Sequence, residues 1–303
     1  MIIEIALFVR LRLIKGSEII MELTQPKVIK DIVAKFGFSF SKGLGQNFLL
    51  DKNVLKDIVE AAEPEEGVLE VGPGFGVLTK ELAMASQKVV TIELDKRLFP
   101  VLDYTLSEFD NVKIVEGDIL KINLNNLLKE EFKDKKISVA ANLPYYITTP
   151  IITMLLEGKY PIKKVVVMVQ KEVAKRLCAE AGSKDYGAIS VLCRYFTNPR
   201  IVTIVPAESF YPPPKVDSAV VCLDICEKPN VTVKDEKMFF KVVKGAFSQR
   251  RKTLLNCLSS HFGIDKEKTA AIIEKCGIEP GIRGEKLDID DFARLADEFF
   301  EIL

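Results

Sequence analysis

From Val68 onward, short apolar runs alternate with amphipathic ones, the rhythm of a parallel sheet covered by helices. Seven runs read as strands: Val68–Val71, 88–92, 112–115, 137–141, 165–169, 201–205 and 219–225. Between them, residues 78–85, 96–108, 150–156 and 171–181 carry the 3.6-residue apolar repeat of covering helices. The last two strands are joined through the proline-rich stretch 206–214, which leaves no room for a helix, so they are expected to pair antiparallel at the sheet edge. Beyond Pro229 the strand signal stops, and residues 236–247, 251–262, 266–276 and 289–300 read as helices punctuated by Gly263, Gly277, Pro280, Gly281 and Gly284. The pattern therefore predicts a Rossmann-like seven-stranded α/β domain over 21–228 and a smaller all-helical domain over 229–303. Residues 1–20 stand apart. Their apolar stretch is interrupted by Glu4, Arg10 and Arg12 and is shorter than the ~20 residues of a membrane span. Because a helical pattern follows Met21, this segment is expected to be an over-extended start or a loosely packed arm.

Composition narrows the chemistry. Forty-three basic residues balance 43 acidic ones, so any nucleic-acid surface must be a local patch rather than a global field. The six cysteines are too scattered for a disulfide framework, which points to reduced thiols and a cytoplasmic location. His261 is the one histidine, which argues against a Ser-His-Asp triad, a Cys-His dyad or a histidine-ligated metal; a surface or capping role suits it, and no metal is expected.

The first strand runs into Glu70-Val71-Gly72-Pro73-Gly74-Phe75-Gly76, where glycines let backbone approach a ligand at the start of a helix. Val77 occupies the place where a dinucleotide fingerprint requires glycine or alanine, and no Lys or Arg lies in the loop to meet a pyrophosphate. Glu93 follows Gly72 by 21 residues, at the end of the second strand, placed to accept from ribose hydroxyls, while Asp95 reads as a helix cap. Asp118 stands at the tip of the third strand, either accepting from an adenine amino group or serving as a solvated turn residue. Together these residues outline an adenosine pocket without phosphate contacts, which favours S-adenosylmethionine over NAD or ATP.

Asn142-Leu143-Pro144-Tyr145 closes the fourth strand. Methyl transfer to an exocyclic amine needs aim more than acid chemistry. The amine lone pair is delocalised into the ring and becomes nucleophilic when its hydrogens are held by acceptors. The Asn142 side-chain oxygen and a main-chain carbonyl presented by Pro144 are such acceptors. Tyr145 offers a face for an extruded base, and Phe210, ahead of a run of three prolines, is either a second ring against that base or a core residue.

Leu44-Gly45-Gln46-Asn47-Phe48-Leu49, Glu70-Val71-Gly72-Pro73-Gly74, Ile92-Glu93-Leu94-Asp95, Asn142-Leu143-Pro144-Tyr145, Pro214-Lys215-Val216-Asp217-Ser218 and Phe247-Ser248-Gln249-Arg250-Arg251-Lys252 occur in this order. Taken together, they resemble the KsgA-type small-subunit ribosomal RNA adenine dimethyltransferases. The resemblance implies a class I methyltransferase sheet and four methyl transfers onto two adjacent adenosines near the 3′ end of 16S ribosomal RNA, within an immature small subunit. It also implies cofactor contacts for Asn47, Leu49, Gly72, Gly74, Glu93, Asp118 and Asn142. A monomer with no membrane association is expected.

Lys237, Lys241, Lys244, Arg250, Arg251 and Lys252 fall in and just after a helix that also carries Phe239, Phe240 and Phe247. They form either an ordinary solvated face or a set of phosphate contacts, with Lys244, Arg250, Arg251 and Lys252 the leading candidates for RNA. Lys171 and Arg176 are weaker candidates. Rival readings are a 23S adenine methyltransferase of the macrolide-resistance type, a small-subunit assembly factor, and a dehydrogenase, the last opposed by Val77 and the want of a catalytic histidine.

Overall fold

The protein is described by a computed structural model over residues 21–39, 47–133 and 135–303. The expectation for residues 1–20, and Leu44, Gly45 and Gln46 of the first motif, lie outside these. The chain enters through α1 (Pro26–Phe36), β1 (Phe48–Leu49) and α2 (Lys52–Ala62). Strand and helix then alternate as β2 (Val68–Val71), α3 (Val77–Ala85), β3 (Val89–Glu93), α4 (Phe99–Thr105), β4 (Val112–Glu116), α5 (Leu124–Phe132), β5 (Ile137–Asn142) and α6 (Thr148–Glu157). They are followed by β6 (Ile162–Gln170), α7 (Lys171–Leu177), α8 (Ala188–Phe196), β7 (Thr197–Val205), β8 (Phe210–Tyr211) and β9 (Ser218–Ile225). The C-terminal part consists of α9 (Glu236–Ala246), α10 (Leu254–Phe262), α11 (Lys266–Lys275) and α12 (Ile289–Ile302).

The seven expected strands form one sheet in the order β4-β3-β2-β5-β6-β9-β7. β2 to β6 run parallel to one another, whereas β9 runs antiparallel to β6 and to β7, the latter as expected for strands joined without a crossover helix. Every residue of β2 and β3 is buried, because helices cover both faces. One core joins α1 to α4 with residues such as Leu82 and Val101; the other gathers α5 to α8 around Leu128 and Ile151.

Three helices differ from the sequence pattern for identifiable reasons. The 96–108 helix begins as a 3-10 turn at Lys96–Leu98, capped by the Asp95 side chain, and α4 ends at Thr105. The 171–181 helix stops at Leu177, because the next carbonyls, Cys178 and Ala179, accept from the Arg194 guanidinium instead of continuing the ladder. The 251–262 helix starts at Leu254, where the Thr253 hydroxyl accepts from Asn256 N–H, leaving Arg250, Arg251 and Lys252 in the preceding turn.

Phe239, Phe292 and Phe299 are fully buried in a third core, which is continuous with α8 through Val191 and Tyr195. Tyr195 packs its ring 4.7 Å from Phe239 and 5.0 Å from Phe240. The helical part is therefore seated on the sheet domain through aromatic contacts. Phe239→Ala should cost about 3–5 kcal/mol of unfolding free energy, read by urea denaturation. A loss below about 1 kcal/mol would show that this core does not hold the helices in place.

Candidate active site

The C-terminal ends of β2, β3, β4 and β5 open into a cleft of about 1020 Å³, counting its mouth. Open α/β sheets place ligands at this edge. The glycine loop forms its floor. Gly72 has φ +71°, and an added Cβ there would meet nothing within 4 Å. Gly74 has φ +58°, and its Cβ would sit 2.6 Å from the Phe48 ring, so glycine is required both by conformation and by close approach.

Phe48 lies over this loop because β1 pairs antiparallel with β8, setting Phe48 against Tyr211 and Leu49 against Phe210. Its ring stacks on Phe75 at 4.1 Å, and Phe38 meets the edge of Phe75 at 5.1 Å. The strap continues to Asn47, whose carbonyl accepts from Asn142 Nδ2 at 3.0 Å. An N-terminal segment and the end of β5 thus meet across the cleft.

Carboxyl groups dominate the polar wall. Glu93 is buried at the end of β3 and accepts from Asp95 N–H at 2.7 Å; burial raises its pKa, partly offset by backbone N–H donors that include Gly74. Asp95 turns away to bind Arg97, as expected of a capping residue. Asp118 accepts from Leu120 N–H at 3.0 Å and pairs with the exposed Lys121 at 3.2 Å. Glu70 is wholly buried, accepts from Thr79 Oγ1 at 2.6 Å, and has its pKa pushed up to about 8 by desolvation. No Lys or Arg occurs among the described residues that line the cleft. Such a site suits a ligand with hydroxyls and an adenine, does not repel positive charge, and offers nothing to a pyrophosphate.

Asn47, Leu49, Gly72, Gly74, Glu93, Asp118, Asn142 and Pro144 all line this cleft. Tyr145 and Phe210 do not. The Tyr145 hydroxyl lies 2.8 Å from Ser218 Oγ, which fixes the half-buried ring. Phe210 is 3% exposed and belongs to the core under β1, where strand pairing with Leu49 fixes it; the core alternative for this ring is the one the structure shows. The cleft also contains residues that the sequence reading leaves out, among them Phe48, Leu94, Ile119, Tyr146 and Ile147. Leu94 and Ile119 directly follow the two acidic strand ends, a position that would have flagged them.

Lys244, Arg250, Arg251 and Lys252 are exposed at the end of α9 and in the turn after it. Arg250 donates to the Lys184 carbonyl at 2.9 Å, tying that turn to the segment after α7. Phe239, Phe240 and Phe247 face inward instead. His261 is partly exposed in the last turn of α10, against Phe262, and its pKa is lowered by burial and by Lys241 and Lys244.

Seven strands in this order, with a glycine loop and acidic strand ends around one cleft, define a class I methyltransferase. The ribosomal RNA adenine dimethylase family model matches residues 37–301. The chain belongs to that family. It is 50% identical over 281 residues to the ribosomal RNA small subunit methyltransferase A of Bacillus cytotoxicus, covering 91% of this chain and 96% of that protein. The protein of the same name from Alkaliphilus oremlandii is 46% identical over 277 residues, covering 90% and 96%. Among solved structures, a dimethyladenosine transferase from Plasmodium falciparum superposes with a TM-score of 0.71 at 27% identity, covering 84% of this chain and 98% of that one. The 23S rRNA methyltransferase ErmE gives 0.64 at 26% identity, covering 83% and 99%.

The buried carboxyl has a measurable consequence. Because Glu70 binds its proton more tightly folded than unfolded, that proton's stabilisation is complete below about pH 4.5 and is lost as the pH climbs through about 8. Thermal unfolding across this range should therefore show a decline that Glu70→Gln removes. A variant that kept the wild-type slope would assign the decline to other groups.

Proposed function

We propose that this chain transfers methyl groups from S-adenosylmethionine to N6 of two adjacent adenosines near the 3′ end of 16S ribosomal RNA, in an immature small subunit in the cytoplasm, and that it acts as a monomer. The observation that carries this reading is the state of Asn142. Its amide nitrogen donates one N–H to the Asn47 carbonyl at 3.0 Å, which orients the side chain on the cleft wall and leaves Oδ1 without a partner among the described residues.

The residues present fit the cofactor. Gly72 leaves open space where any side chain would project, Glu93 and Asp118 supply acceptors for ribose hydroxyls and an adenine amino group, and Leu94 and Ile119 add apolar surface. Bound there, S-adenosylmethionine supplies an electrophilic sulfonium methyl. Asn142 Oδ1 accepts a hydrogen bond from one N–H of the target amine. The Pro144 carbonyl is already occupied by Ile147 N–H and Thr148 Oγ1, so the Leu143 carbonyl is the main-chain acceptor for the other. Held in this way, the nitrogen moves toward tetrahedral geometry and its lone pair becomes available. Tyr145, fixed by Ser218, supports the everted base from beside the cofactor cleft, while Phe210 acts from the core by holding Leu49 in place.

Lys244, Arg250, Arg251 and Lys252 are the proposed phosphate contacts. The identity of 50% to a small-subunit enzyme, against 26% to the 23S enzyme ErmE, favours the small subunit as substrate. A dehydrogenase is disfavoured by the absence of cations along the described cleft and by the antiparallel β9 between β6 and β7.

Incubation with labelled S-adenosylmethionine and unmethylated small subunits, then nucleoside mapping, should yield N6,N6-dimethyladenosine at adjacent positions; label confined to large subunits would overturn the assignment. Asn142→Ala should lower methyl transfer at least about 100-fold while leaving cofactor affinity within a few-fold. Activity within a few-fold of wild type would remove Asn142 from the chemistry. Arg250→Ala and Arg251→Ala should each weaken RNA binding and reduce its log-log salt slope by about 0.7–0.9, and an unchanged slope would take these residues off the RNA surface.

A further inference from the structure

The tetrapeptide at the end of β5 is followed by a second tyrosine, and the two rings have different environments. Tyr145 is held by Ser218, whereas Tyr146 is 57% exposed, more than any other aromatic residue described. Tyr146 nevertheless lines the cleft, beside Asn142 and Pro144. Its hydroxyl has no hydrogen bond and its ring no aromatic neighbour among the described residues. The backbone beneath it is well anchored. Tyr145–Ile147 form a 3-10 turn closed by Ile147 N–H on the Pro144 carbonyl at 3.2 Å, and the flanking Leu143 and Thr148 are 1% and 2% exposed. Leu94, also part of the cleft, is 52% exposed, so the mouth carries apolar as well as aromatic surface.

A large ring kept at the mouth of a cleft, on a rigid turn and without a partner, loses hydrophobic burial that most aromatic residues in this chain obtain. Its surface fits one chemistry at that place. Everting a nucleotide breaks the stack on both of its sides, so each flanking base presents an uncovered π-face beside the cleft mouth. We infer that Tyr146 is a positioning residue that stacks on the base of the nucleotide next to the target, replacing part of the stacking lost when the target leaves the helix. The inference rests on the proposed action on RNA. Any base provides a face, so this contact registers the strand without reading its sequence.

The test is a cycle between protein and RNA, using full-length enzyme and unmethylated small subunits reconstituted with a synthetic target-bearing segment. That segment has an abasic site immediately 5′ or 3′ of one target adenosine, and methylation is scored at that adenosine alone, since one of its neighbours is the second target. With intact RNA, Tyr146→Ala should raise KM for the particle about tenfold, and Tyr146→Phe should restore it. The abasic substitution on one side should raise the wild-type KM by a similar factor and have almost no further effect on Tyr146→Ala. Cofactor affinity, measured by calorimetry on each variant, reports whether the turn is intact. Additive penalties at both flanking positions, or a Phe variant as impaired as Ala, would overturn the inference. Failure of the wild-type enzyme to methylate intact particles would instead refute the functional reading beneath it.

Discussion

Because β2, β3, β4 and β5 run parallel and in step, with Val71 beside Ile92, Glu93 beside Glu116 and Glu70 beside Ala140, each chain leaves its strand along one edge of the sheet. Every polar group at the site depends on that register. A slip of one residue would turn Glu93 and Asn142 toward the opposite face of the sheet. The register is held by burial: the alternating cores on the two faces place Leu69, Val90 and Val139 on one side and Val68, Val89 and Ala140 on the other. Packing energy spread over the whole sheet thus fixes the few side chains that matter chemically.

The strap formed by β1 converts this edge into a closed wall. Its pairing with β8 places Phe48 over the glycine loop and brings the Asn47 carbonyl to the Asn142 amide. An asparagine side chain carries a donor and an acceptor of nearly equal size, and its chemistry depends on which of them faces the ligand. Here the strap takes one N–H of the amide nitrogen and so fixes which way the group is turned. The electrostatic setting agrees, since the described cleft wall carries no Lys or Arg to oppose a positively charged cofactor.

The strands were legible in the sequence because residues buried on both faces leave continuous β-branched runs, and the antiparallel position of β9 followed from a connection too short for a helix. Helix ends were less legible, since Arg194 and Thr253 set them through contacts that periodicity does not encode. At the site, glycine, acid and amide positions could be read because each stands at a strand end. The aromatic residues could not. Tyr145 and Tyr146 are neighbours in a 3-10 turn, where successive side chains point about 120° apart, and only the tertiary contact to Ser218 decides which one faces the cleft. Phe210 has the chemistry of a stacking ring, but its pairing partner Leu49 determines that it enters the core.

The chemistry of this cleft turns on the direction of one amide. A crystal structure with S-adenosylhomocysteine and a target RNA segment bound would test it directly. Asn142 Oδ1 should lie within about 3 Å of the target adenine N6, with Nδ2 still donating to the Asn47 carbonyl. An Asn142 side chain turned away from that amine, or donating to the base through Nδ2, would contradict it.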